Sequence, residues 1–319
     1  MLRADLHVHS CHSAQSGNLR FLRSRDCYSR PEDVYRTAKS RGMDLVTITD
    51  HDSIAGCLEF LDRHPDTRDF FVSEEVSCCF PDTNIDVHLG VYGMTERLHR
   101  DLQNSRDNVF EVIAALREAG VFFALNHLLH FYRGQISLAA YLKLLDEVPA
   151  LETRNGTMLP SHNALAAKIA SAWRRDRGAL LTPLGAVGGS DAHTLRRVGR
   201  TWTEAPGTTV AEFLDSLAQG KAQPGGSHGA ARTVAADAYG VIGSYMASLI
   251  GRGPRDHHTW QRAACLMFCA ISAPAQFMPM VIAAAGKVGE RRRVESAASE
   301  LAGRLAETAL QTAPLEAGS

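Results

Sequence analysis

Short apolar runs alternate with helix-like segments through residues 1–229. The runs at 2–6, 45–49, 70–76, 85–91, 121–125, 150–152 and 184–188 read as strands. Residues 31–41 open on Pro31 and are followed by Gly42. Proline's fixed φ suits the first helical turn, and glycine tolerates the positive φ that ends a helix. Val109, Val112, Ile113 and Leu116 recur at helical spacing before Gly120, and residues 211–218 form a similar segment before Gly220. This alternation predicts an α/β domain with a mainly parallel sheet, open or closed into a barrel.

Residues 230–319 read differently. They are rich in Ala and Arg, contain no convincing strand and end in a weakly apolar tail, so a helical appendage with a frayed end is expected. Within them, 24 residues from 263 to 286 carry no formal charge, enough for a membrane-spanning helix. Pro274, Gln276, Pro279 and the many alanines favour a buried or interfacial helical pair over insertion or other membrane contact. Arg291, Arg292 and Arg293 follow, and a solvated helix face is preferred there to a juxtamembrane basic patch.

Composition narrows the classes further. The chain has 319 residues, 34 Lys+Arg against 35 Asp+Glu, and 45% hydrophobic residues. A disordered or collagen-like chain does not fit. A net charge of −1 and 7% aromatics give no basic track or stacking groove for nucleic acid. Seven cysteines without a C-x-x-C motif read as reduced thiols, and the opening M-L-R-A-D-L-H-V-H lacks a signal peptide's apolar core. A cytoplasmic protein is expected.

The histidines change the picture most. Of 14, 11 precede residue 194, and many stand at the ends of predicted strands. In Asp5-Leu6-His7-Val8-His9, alternation points both imidazoles to one face. His51 lies between Asp50 and Asp52, and the third run ends in Glu74-Glu75-Val76. His88 lies in the fourth run, His127 ends the fifth, and Asp191-Ala192-His193 follows the last. Side chains at the carboxyl ends of parallel strands converge. Imidazoles beside carboxylates there would attract divalent cations such as zinc, manganese or iron. His64, His99 and His162 fit the plainer role of hydrogen-bonded structural residues.

Taken in order, Asp5–Ser10, 48–52, Glu75, His88, His127 and Asp191–His193 resemble the successive motifs of the PHP (polymerase and histidinol phosphatase) domain family. The resemblance covers about residues 3–229. Arg200-Thr201-Trp202-Thr203 and Gly225–Gly229 look most like PHP proteins related to glycosyltransferase-associated members, although no transferase domain fits in the remaining 90 residues.

It implies a distorted (β/α)7 barrel, a cofactor of two or three divalent metal ions, and phosphoesterase chemistry. On it, His7 and His9 would bind a first metal with Asp191, and Glu75 would bridge two metals. His88 and His127 would complete the second site, with His51 and His193 at a third. Ala14 and Gln15 stand where members often carry a further Asp or His, leaving that ligand to His12 or Asp26. Leu128 replaces a common proline. Arg20, Arg23 and Arg25 lie in a lengthened loop, best read as solvated.

The expected reaction is hydrolysis of a phosphate ester of a small metabolite or nucleotide by a metal-bridging hydroxide, with Asp191 or His193 moving the proton. Arg154, Arg196, Arg197 and Arg200 are candidates to grip phosphate. Asp5, Asp50 and Asp52 are expected to orient the histidines, and His130 and Asn155 to line the site. Alternatives are a phosphodiesterase acting on single-stranded nucleic acid ends, or a non-catalytic metal-binding module. An amidohydrolase with a bridging lysine is disfavoured, because Lys39, Lys143, Lys168, Lys221 and Lys287 all lie away from predicted strand ends.

Overall fold

Thr95, Asn108 and Thr209 each accept a hydrogen bond from a backbone amide two or three residues ahead, and each starts a helix. These caps satisfy amides that would otherwise lack partners. The computed structural model describes residues 1–13, 22–81, 83, 85–130, 138–176, 181–252, 258–275 and 277–312. Ala14, Gln15 and Arg20 therefore lie outside the described residues.

The elements run β1 (Leu2–Ala4), α1 (Pro31–Ser40), α2 (Ala55–Arg63), β2 (Ser73–Cys79), β3 (Asp86–Tyr92), α3 (Glu96–Gln103), α4 (Val109–Glu118), β4 (Phe122–Leu125), α5 (Leu138–Glu147) and β5 (Ala150–Asn155). They continue with α6 (Pro160–Ala172), β6 (Arg174–Asp176), β7 (Leu181–Pro183), β8 (Gly185–Gly189), β9 (Thr201–Ala205), α7 (Val210–Ala218), β10 (Gln223–Gly226), α8 (Ala231–Leu249), α9 (Thr259–Ile271) and α10 (Met278–Thr312). The three helices anticipated from spacing are α1, α4 and α7.

The fold is mixed α/β. Five strands pair in the order β2-β3-β4-β5-β8, three as β1-β9-β10, and β6 with β7 as a hairpin. The expected mainly parallel sheet is corrected here: β2-β3 and β3-β4 are antiparallel, and only β4-β5 and β5-β8 are parallel. The six residues between β2 and β3 are too few for a parallel crossover. The run at 45–49 forms no strand. It joins its neighbours through single parallel bridges, Val46 to Phe70 and His51 to Glu75, while Val8 bridges to Ala192.

These bridges extend the backbone bonding beyond the sheets. The Asp191 amide donates to the His7 carbonyl at 2.7 Å, Thr49 to Val8 at 2.7 Å, and Glu75 to Asp50 at 3.1 Å. Gly189 permits this closeness, because a Cβ there would lie 2.3 Å from the His7 Cβ. The largest apolar core joins Val76, Leu89 and Leu125 to Val112, Ile113 and Leu116 of α4 and to Leu144 and Leu145 of α5. Each such fully buried side chain contributes about 1.5–3 kcal/mol.

Residues 263–286 are not one helix. Pro274 falls in a short 3-10 turn between α9 and α10, where it lacks the amide a continuous helix needs. Among the described residues no helix is long and apolar enough to cross a membrane. Of the buried or interfacial pair expected here, Cys265 and Ala283 are buried, whereas Met267, Ile271, Met280 and Ile282 are exposed. All seven cysteines are free.

The C-terminal helices dock on the earlier fold through Glu290. Its carboxylate accepts from the Leu159 amide at 2.7 Å and from Lys287, and lies 3.3 Å from His162 Nδ1. Burial opposes the charge, but these partners hold the carboxyl down at about 2. Burial keeps His162 neutral, so Lys287 supplies the countercharge. A carboxyl depressed on folding stabilises the protein above its unfolded pKa, and that contribution disappears as pH falls from about 4.5 to 2. Glu290→Gln should therefore cost roughly 2–3 kcal/mol in urea unfolding at pH 7. The gap between the two proteins should narrow at pH 3.

Candidate metal centre

Five imidazoles from four chain segments meet the carboxylate of one buried residue, Glu75 on β2. His7 Nε2 and His51 Nδ1 lie 3.1 Å from Oε2, and His9 Nε2 lies 3.5 Å from it. His127 Nε2 and His88 Nδ1 lie 3.1 and 3.2 Å from Oε1. Asp191 Oδ1 forms a second focus, 3.6 Å from His7 Nε2, 3.5 Å from His9 Nε2 and 3.6 Å from His193 Nδ1. All eight residues named as ligands from the sequence thus stand together.

The chain is bent to achieve this. His127 and Asp191 adopt φ of +28° and +51°, left-handed conformations costing about 1–3 kcal/mol each for residues other than glycine. Hydrogen bonds hold both, from the His127 amide to Glu152 Oε2 at 2.9 Å and from the Asp191 amide to the His7 carbonyl.

The donor set fits divalent cations. Within the described residues, His7 Nε2, His9 Nε2, His51 Nδ1 and Glu75 Oε2 are buried without a hydrogen bond of good geometry. Buried polar atoms normally have one. Potential ligand atoms within 4.8 Å of one another fall into four groups: His7/His9/Glu75, His51/Glu75/His88, His7/His127/Asp191 and His9/Asp26/His51/His193. Nitrogen and carboxylate oxygen in such sets suit zinc, manganese or iron.

Electrostatics agree with that chemistry. Burial would raise the Glu75 carboxyl, but the rings of His7, His51 and His88 hold it well below the usual range. Asp191 is likewise depressed against burial, by His7, His9 and His193. Burial, reinforced by His193 and His51, pushes His9 down and keeps its ring neutral. At His7 burial is outweighed by Glu75, Asp191 and Glu152, which favour a proton. A divalent ion among the same acids competes for that proton's place.

Residues 160–222 match the family model described as PHP-associated, a stretch containing β8, Asp191 and His193. Over this stretch the chain is similar to PHP-associated proteins. Over 58 residues it is 36% identical to an uncharacterized protein of Methanocaldococcus jannaschii, covering 18% of this chain and 33% of that one. The matched stretch spans about a third of that curated relative. PsfC from Pseudomonas syringae is similar in fold, with a TM-score of 0.50 and 18% identity over 76% of this chain and 99% of that chain. A two-domain protein from Bacteroides vulgatus containing a predicted PHP-like metal-dependent phosphoesterase aligns at a TM-score of 0.46 and 13% identity, over 76% and 68% of the two chains.

The supporting acids differ from expectation. Asp5 accepts from the amides of Ser190 and Gly199 at 2.8 and 2.7 Å, and Asp50 from the Ser10 amide and hydroxyl. Asp52 accepts from the Ser77 amide and pairs with Arg106. These three hold backbone and loops rather than imidazole rings. Burial pushes Asp5 up to about 6 and Asp50 to about 7, partly offset by those bonds.

Ring orientation falls instead to Glu152 on β5, whose Oε1 lies 2.9 Å from His7 Nδ1. A carboxylate only accepts, so Nδ1 carries the proton and Nε2 faces the cluster. Asn126 donates to Glu75 Oε1 at 2.9 Å, and Asn155 to Glu152 and Asp191. Glu152 and Asn126 escaped the sequence reading, although an acid inside an apolar strand run was a usable signal.

Of the two alternatives to Ala14 and Gln15, Asp26 joins the cluster, 3.9 Å from both His51 Nε2 and His193 Nε2. His12 pairs with Glu59 instead. His64, His99 and His162 each face a carboxylate, Glu32, Glu74 and Glu290 respectively. Among the described residues no lysine enters any of the four ligand groups.

The proposed phosphate-gripping arginines do not converge. Arg154 donates to the Gly226 carbonyl and meets His228, while buried Arg197 reaches the Gly156 carbonyl and Asp237. Arg196 and Arg200 are exposed. Arg25 holds the Cys11 carbonyl, and Arg23 is exposed.

A cavity of about 820 Å³ opens beside Asp191, His193 and Asp26, and none of those four arginines lines it. Its cations are Lys287 and Arg293 of α10, so Arg293 is not part of a wholly solvated face. His130 lines it as expected; burial, with His127 and Arg293, pushes its ring down to about 3 and keeps it neutral.

Proposed function

We propose that the protein is a metal-dependent phosphoesterase hydrolysing the phosphate ester of a small metabolite or nucleotide. Residues 1–229 would form its catalytic unit, a distorted seven-stranded barrel. Residues 230–319 would form a helical region walling one side of the site. The single parallel bridges at Val8, Val46 and His51 support the barrel, since they join the segment after β1 to that after β8, and the 45–51 run to β2 and the residues before it. The free thiols support a cytoplasmic setting.

One observation carries the reading: five imidazoles surround Glu75 within 3.5 Å while Asp191 collects three more contacts beside a cavity. His7, His9, His51, Glu75, His88, His127, Asp191 and His193 are the proposed ligands of two or three ions, with Asp26 in place of the ligand expected near Ala14. Bound zinc, manganese or iron would supply an acidified water and neutralise charge on the phosphoryl oxygens.

The chain's own residues do the rest. Glu152 and Asn126 fix the orientation of His7 and Glu75. His193, part-exposed at the cavity and 3.2 Å through Nδ1 from the Asp191 carbonyl, is placed to pass a proton to the leaving oxygen. Arg293 adds positive charge along the cavity wall, whereas Lys287 is paired with Glu290.

Purified protein with added manganese is expected to release p-nitrophenol from p-nitrophenyl phosphate, and His9→Ala to reduce that rate at least a hundred-fold. Equal rates for the two proteins, or no metal-dependent turnover of any phosphoester, would remove the assignment and leave a metal-binding module.

A further inference from the structure

The cavity beside the cluster is lined by two unlike sets of groups. One is polar: Asp191, His193, Asp237 of α8, and Lys287, Glu290 and Arg293 of α10. The other is apolar: α8 contributes Val234, Ala238, Val241 and Ile242, and α10 contributes Ile282 and Ala285. The α8 set recurs at intervals of four, three and one, placing it on one face of that helix. Two helices therefore line the same space with apolar groups.

Polar groups elsewhere on the wall already have partners. Asp237 accepts from Thr194 and lies beside Arg197, Glu290 holds Lys287 and the Leu159 amide, and Thr157 donates to Asp191. Little remains there to recognise a polyol or sugar by hydrogen bonds. A cavity of about 820 Å³ lies within the roughly 300–1,000 Å³ typical of small-molecule sites, which are mostly apolar with a few fixed polar groups. At the outer lip Ile282 is 63% exposed, so the apolar wall continues towards solvent.

We propose, resting on the phosphoesterase reading, that the substrate is an amphiphilic phosphate ester whose apolar organic group lies between α8 and α10 while its phosphate faces the cluster. In the reaction a water oxygen bonds to phosphorus and the ester P–O bond breaks. The apolar alcohol leaves with a proton, and inorganic phosphate is the second product. The C-terminal helices thus set specificity for the leaving group.

A series of monomeric n-alkyl phosphates tests this directly with the manganese-loaded full chain. kcat/KM should rise about three-fold for each added methylene, approaching a hundred-fold between ethyl and hexyl phosphate, because each methylene leaves water for an apolar wall. Ala238→Trp, which fills the chamber, should lower the hexyl-to-ethyl ratio at least ten-fold. A flat series with ethyl phosphate still hydrolysed, or a ratio unaffected by a folded Ala238→Trp protein, would overturn the proposal while sparing the phosphoesterase reading.

Calorimetric titration with methylphosphonate and hexylphosphonate separates the remaining case, in which no ester turns over. Tighter binding of the hexyl compound would then support the chamber as an amphiphile site although hydrolysis had failed. Equal binding would overturn it.

Discussion

Glu75→Gln is expected to lower metal-dependent phosphoester turnover on the order of a thousand-fold, and His51→Ala only ten- to a hundred-fold. The asymmetry follows from position. Between them the two carboxylate oxygens of Glu75 lie within 3.5 Å of five imidazoles, so it stands as the anion at the middle of the cluster. Glutamine keeps the shape but loses the negative charge and turns one oxygen into a donor facing rings that are themselves ligands.

Two cations held close need an anion between them, because their mutual repulsion is otherwise uncompensated. His51 is part-exposed, with side-chain accessibility of 21%, and offers one nitrogen at the rim. A water can replace that nitrogen more readily than anything replaces the central carboxylate. Steady-state kinetics on both variants at saturating manganese, with bound metal counted by elemental analysis, checks the order. A larger loss for His51→Ala would mean that Glu75 is not the shared ligand.

The ligands were legible because their chemistry is local. H-x-H just beyond β1, His51 between two aspartates, and Asp191 followed two residues later by His193 each show their pattern within a few residues. Period-two alternation then supplies the common face. What surrounds them was not local. Glu152 is 145 residues from the ring it orients, and Arg293 reaches the cavity only because α10 packs back on the earlier fold.

Chain direction was similarly hidden. The apolar runs of β2 and β3 are visible in the sequence, but their antiparallel pairing depends on a six-residue connection whose brevity the helix–strand alternation masks. β9 and β10 were missed for a different reason. Thr201–Ala205 buries its threonines and leaves Trp202 and Glu204 part-exposed, the reverse of an apolar strand signal, and Gln223–Gly226 has no strand propensity of its own. Their pairing with each other and with β1 creates them. The exposed apolar face of α9 and α10 shows the opposite limit, since a charge-free run looks the same whether a fold buries it or leaves it in solvent.

Removing and restoring metal should change stability as strongly as activity. Glu75, Asp191, His7 and His9 are buried together, and His7 Nε2, His9 Nε2 and Glu75 Oε2 lack a hydrogen-bond partner among the described residues. Such groups are costly to hold without cations between them. A ligand that binds only the folded chain stabilises it by RT ln(1 + [L]/Kd), about 4 kcal/mol at a thousand-fold excess over Kd. For a chain of this length that corresponds to a rise in Tm on the order of 10 °C.

Chelator-treated protein is therefore expected to unfold on the order of 10 °C earlier than the same protein after manganese or zinc is returned. The shift should shrink sharply in His9→Ala, because His9 belongs to two of the four ligand groups. Differential scanning calorimetry reads this without any substrate, and so separates binding from turnover. An unchanged Tm across chelation and reloading would mean that the cluster holds no ion, and both the ligand assignment and the hydrolytic chemistry built on it would fall.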